Sequence, residues 1–94
     1  MKHHILAKYK DTVENKEALL EEIRLLFADA ARIPGVLGAQ VIPNCIPRPN
    51  RYDLMIVVDM EKEALPDWDA SALHHAWKEK YGDLLAAKAI FDCE

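Results

Sequence analysis

Apolar residues follow two rhythms along this chain. Over residues 2–10 they occupy both parities of an alternating pattern, which predicts a strand covered on two faces. Leu19, Leu20, Ile23, Leu26, Phe27 and Ala30 then recur at three- and four-residue steps, predicting an amphipathic helix over about 13–31. Asp11 and Thr12 are candidate caps for it, Glu14 and Glu17 suit the positive end of its dipole, and Pro34-Gly35 stops it. Val36 to Ile46 reads as a second strand in which Gly38 can mark a bulge. Pro43, Pro47 and Pro49, with Asn44 and Asn50, make a stiff loop. Tyr52 to Met60 contains the unbroken run Leu54-Met55-Ile56-Val57-Val58, the strongest strand signal. Residues 63–82 read as helix in two pieces, with Pro66 interrupting the first and Asp69 or Ser71 capping the second. Ala86 to Cys93 is a last strand.

The order β-α-β-β-α-β is the split βαβ, ferredoxin-like motif, an α+β fold. It implies an antiparallel sheet in the order 4-1-3-2 with both helices on one face, over a single domain of residues 1–94. The other face still carries apolar groups in His4–Leu6, Met55–Val57 and Ala89–Phe91. An exposed apolar sheet face is a partner site, and the simplest partner is a second copy about a two-fold axis. A domain of 94 residues gains stability from such pairing.

Composition narrows the function classes. The net charge of −4, with dispersed basic residues, argues against nucleic acid. No apolar run approaches a membrane span, and Lys8 cuts short any signal-peptide core at Ile5-Leu6-Ala7. The expected place is the cytoplasm, with Cys45 and Cys93 as free thiols.

The topology also gathers candidate chemistry. Antiparallel neighbours put the start of strand 1 beside the end of strand 4, so His3 is expected near Asp92. The third strand ends and the second helical region begins at the same edge, which brings Trp68 and His74 there. The first helix finishes there too, with Phe27 and Ala31 turned inward. The expectation is an apolar recess between sheet and helices, lined by Ile5, Ala7, Phe27, Ile56, Trp68 and Ile90, holding His74, His3 and Asp92. Imidazole titrates near neutral pH and can give or take a proton. A carboxylate bonded to it sets its tautomer and raises its basicity. The bland alternatives are a structural His3–Asp92 pair and a half-exposed His74 without a role. Two imidazoles and a carboxylate can also hold a metal, but no local ligand spacing supports that, and no metal or cofactor is expected.

The chain resembles the stress-responsive dimeric α/β-barrel (Dabb) family over essentially its whole length. The resemblance rests on Lys2-His3-His4-Ile5-Leu6-Ala7-Lys8-Tyr9-Lys10, Ile33-Pro34-Gly35-Val36, Arg51-Tyr52-Asp53-Leu54, Leu73-His74-His75-Ala76-Trp77 and the closing Ile90-Phe91-Asp92. It implies two ferredoxin-like subunits whose sheets face each other in a barrel. The family includes plant olivetolic acid cyclase, a cofactor-free enzyme of intramolecular aldol condensation. By that likeness His74 matches the catalytic histidine, His3 the histidine of the first strand, and Asp92 the closing aspartate. Ser71-Ala72 stand where the cyclase has His-Pro, and Trp68 stands where it has a tyrosine. An indole donates a hydrogen bond but is no acid, which argues against the cyclase's own mechanism.

Three functions follow. The first is acid–base chemistry of the cyclase or lyase kind on a small apolar carbonyl compound, with His74 as base and His3 and Asp92 orienting it. The second is a stress-response or small-molecule-binding homodimer without chemistry. The third is a cofactor-free oxygenase of the related barrel type. An enclosed recess with His74 pointing in favours the first; a filled core opposes it.

Overall fold

Residues 1–94 are described by a computed structural model. Strand β1 spans Lys2–Tyr9 and helix α1 spans Lys16–Phe27. Strands β2, Val36–Pro43, and β3, Leu54–Met60, follow, separated by the proline loop. Helices α2, Leu65–Ala70, and α3, Ala72–Tyr81, precede the closing strand β4, Leu85–Cys93. All strand pairs are antiparallel, in the order β2-β3-β1-β4. This is the ferredoxin-like α+β fold expected from the sequence, with the same strand order.

Alternation decides what each face does. His3, Ile5, Ala7 and Tyr9 of β1 and Leu54, Ile56, Val58 and Met60 of β3 are buried. Ile23 and Phe27 of α1, Trp68 of α2, and Trp77 and Tyr81 of α3 complete the core against them. The opposite parity forms the second face. There Leu6 pairs with Met55 and Ala89, His4 with Val57 and Phe91, and Ile42 with Met55. Phe91 is 63% exposed on it and Ile42 is 39% exposed. No helix of the structure is long and apolar enough to cross a membrane.

Several boundaries differ from the sequence expectation, each for a local reason. Helix α1 starts three residues late, because Val13 N–H closes a turn on the Lys10 carbonyl and Asn15, not Asp11 or Thr12, caps the helix through Ala18 N–H. It ends at Phe27, and a separate 3₁₀ turn over Ala30–Arg32 buries Ala30 and leaves Ala31 exposed, so Ala31 is not the inward residue. Pro66 does not interrupt α2. It lies in the first turn, where its missing N–H costs nothing. The break falls at Ser71, whose backbone is extended. Its hydroxyl donates to the Trp68 carbonyl at 2.7 Å and accepts from His74 N–H at 3.1 Å, ending one helix and capping the next. Gly38 sits at the irregularity between β2 and β3, as a bulge residue should.

Candidate functional site

Four of the residues singled out from the sequence meet at one end of the sheet. His3 and Asp92 are cross-strand partners, and His3 Nδ1–H donates to Asp92 Oδ1 at 2.5 Å. His3 is buried, whereas the Asp92 side chain is 39% exposed on the edge strand. The bond uses the Nδ1 proton, so in the neutral ring Nε2 carries the lone pair. The Trp68 ring lies near both imidazoles, its centroid 6.2 Å from that of His3 and 5.3 Å from that of His74. Phe27 packs against it at 5.9 Å.

His74 lies in the first turn of α3. Its Nδ1–H donates to the carbonyl of Asp69 at 3.0 Å, the same use of the ring as in His3. That carbonyl is within reach because the chain turns at Ser71. Partial burial lowers the imidazole's pKa below the ordinary value of 6.5. The Asp69 carbonyl works against this shift, and Lys78 and Lys88 add to it. Both histidines are thus held with Nε2 as the free basic nitrogen in the neutral form. His75 is exposed.

The residues expected to line a recess divide in two. Ile5, Ala7, Phe27, Ile56 and Trp68 are all at most 2% exposed and pack against one another, so this space is filled core. Trp68 fills much of it, and its fully buried indole N–H has no hydrogen-bond acceptor. An orphaned buried donor costs about 1–3 kcal/mol. Ile90 is on the correct face but 49% exposed, because β4 contributes no fully buried residue to the core and its helix-side surface stays open.

Open hollows lie elsewhere: one of about 470 Å³ between the end of α1 and β2, and others at the opposite end, around the proline loop. One of about 370 Å³ lies between the start of α1 and the loop, with Tyr9, Leu20, Pro43 and Leu54 in its wall. The sequence marks this region only as a stiff loop and places no candidate site residue in it. The signal available was the density of basic residues flanking the prolines.

A four-stranded antiparallel sheet with helices on one face and a bare apolar second face defines a ferredoxin-like subunit. No family model matches the sequence, and no curated protein matches it. Solved structures do. A dimeric protein of unknown function with a ferredoxin-like fold from Bacteroides fragilis is 18% identical, with a TM-score of 0.83 over 99% of this chain and 93% of that one. A Dabb family protein with a ferredoxin-like fold from Mesorhizobium loti is 15% identical, with a TM-score of 0.65 over 99% of this chain and 93% of that one. A hydroxynitrile lyase from Passiflora edulis is 10% identical, with a TM-score of 0.71 over 96% of this chain and 87% of that one. The fold is that of dimeric ferredoxin-like proteins, a Dabb protein among them, in agreement with the resemblance read from the sequence. The neighbours include proteins without an assigned function as well as an enzyme, so the fold by itself selects no activity.

Proposed function

We propose that this chain is a Dabb-type subunit that works as a homodimer, two copies joining face to face through their open sheet surfaces, as a binding protein without chemistry at its histidine end. The observation that carries this reading is the apolar second face. Leu6, Met55, Val57, Ile42 and Phe91 project from a sheet whose other side is packed against the helices along β1 and β3. Contiguous apolar surface of this kind is stabilised by burial at about 25 cal/mol per Å². Filling of the predicted recess by Trp68 supports the non-catalytic half of the reading, since a substrate would find no space beside His3 and His74. Sedimentation of the purified protein is expected to give the mass of two chains, and Met55→Asp the mass of one. A single-chain mass for the unmutated protein would end the proposal.

One observation favours acid–base chemistry as a second reading. Two imidazoles with anchored Nδ1 and basic Nε2 flank an indole N–H that has no partner. If Trp68 swung aside, the pair could abstract a proton alpha to a carbonyl, with a nearby donor for the enolate oxygen. The test is exchange of the methyl protons of acetophenone in D₂O, followed by NMR. Catalysed exchange that is lost in His74→Ala would establish this reading. Exchange no faster than in buffer would reject it.

A further inference from the structure

We infer that the proline-loop end of the subunit, opposite the histidines, binds a small amphipathic organic anion: a carboxylate whose apolar tail enters the hollow beside α1 and whose charge meets the basic mouth above it.

Two adjoining hollows make up this place. The inner one, about 370 Å³, has apolar walls at Tyr9, Leu20, Pro43 and Leu54. That volume is at the lower end of the range for small-molecule sites, about 300–1,000 Å³. The outer one is about 440 Å³ and shares Tyr9, Lys16, Asn44, Pro47 and Asp53 with the inner one, so the two run together. Its rim carries Lys8, Lys10, Lys16, Arg48 and Arg51 against only two carboxylates, Asp11 and Asp53. Glu17 is the one acidic side chain added by the inner hollow. Such a concentration of positive charge contrasts with the chain's net charge of −4.

Most of those cations lack a carboxylate of their own. Lys16 pairs with Asp53 at 3.0 Å, but Lys8, Lys10, Arg48 and Arg51 form no ion pair. Lys8 donates instead to the Pro49 carbonyl, and Arg51 to the side-chain oxygen of Asn50. Arg48 and Arg51 keep donors for a planar carboxylate, the group that a guanidinium fork fits best.

The walls are held in place before any ligand arrives. Asp53 is the fastener: its Oδ2 accepts from Tyr9 N–H at 2.8 Å and its Oδ1 from Lys16 Nζ. Its own N–H donates to the Ala7 carbonyl, and its carbonyl accepts from Asn44 N–H. Three prolines limit what the loop loses on ordering. A pre-organised wall spends less of the binding free energy on ordering. This site lies apart from the histidine end, and on its sheet side Asn44 and Arg51 adjoin Leu6, Ile42 and Met55 of the open face.

Octanoate, with octanamide as its neutral counterpart, tests the assignment on the full chain by ¹H–¹⁵N NMR. Octanoate is expected to shift the amides of Leu20, Asn44, Cys45 and Asp53 in a saturable manner. Octanamide should bind at least tenfold more weakly. Arg48→Ser with Arg51→Ser should weaken octanoate about tenfold with little change in melting temperature, since Arg48 is exposed, Arg51 is half-buried and neither forms an ion pair. Arg48→Ser alone gives the smaller loss that shows which guanidinium leads. Shifts confined to His3 and His74 or to the open sheet face, or no shifts at all, would overturn the site. Equal affinity for octanamide would overturn its selectivity for an anion.

Discussion

His3 and His74 use the same ring nitrogen for anchorage and reach it by different routes. His3 leans on a cross-strand carboxylate, His74 on a carbonyl five residues back in its own chain. The second arrangement has a consequence for pH. Burial disfavours the charged His74, so its folded pKa lies below the unfolded 6.5. Below about pH 6.5 the unfolded chain then binds more protons at this site than the native one. The contribution is complete above that pH and is lost as pH falls through the window down to the folded pKa. An NMR titration is expected to place the His74 midpoint below 6.5. In His74→Gln, stability should fall less steeply as pH drops below 6.5. The hydroxyl of Ser71 is the second residue that matters here. Ser71→Ala removes a cap and a bond to the Trp68 carbonyl together, so a loss of about 1–2 kcal/mol is expected, read as a lowered denaturant midpoint.

Among the elements, the connection from α1 to β2 has the least tolerance. Gly35 has φ +80°, and a Cβ there would lie 2.6 Å from the Ala64 Cβ. Its carbonyl accepts from Glu61 N–H, which ties this turn to the end of β3. Gly35→Ala therefore meets both a backbone penalty of about 1–2 kcal/mol and a collision. Its melting temperature should fall by more than the roughly 4–8 °C per kcal/mol typical of a domain this size would give for the backbone alone. A melting temperature equal to that of the unmutated protein would contradict the geometry. By contrast, Gly38 and Gly82 have open space where a Cβ would stand, so Ala is sterically free there.

For the whole molecule, the open face ties stability to assembly. If the folded unit is a dimer, mass action makes its melting temperature rise with protein concentration, and Met55→Asp should abolish that dependence as well as lower the value. Val57→Asp should do the same, since Val57 stands on the same face and pairs with His4 and Gln40. Calorimetry over a hundredfold concentration range provides the measurement. A melting temperature independent of concentration would mark the face as something other than a self-association surface.

Strand order, the facing of Leu54 to Met60, and the His3–Asp92 partnership were all legible in the chain, because period-two alternation and antiparallel neighbours leave few choices of register. The convergence of Trp68 and His74 on that pair was legible for a similar reason: topology alone sends α2 to the end where β1 begins. Only the tertiary structure decided that this end is filled. Whether a recess exists depends on how side-chain volumes add up across four elements, and Trp68 takes the space that spacing could not measure. The bond from His74 to Asp69 was equally out of reach, since it depends on the helix breaking at Ser71 rather than at Pro66. The basic hollow at the proline loop draws its walls from β1, α1, the loop and β3, segments with no shared periodicity. A sequence expresses one-dimensional pattern strongly and three-dimensional volume hardly at all; here the first determined the fold, and the second determined where it leaves room for a ligand.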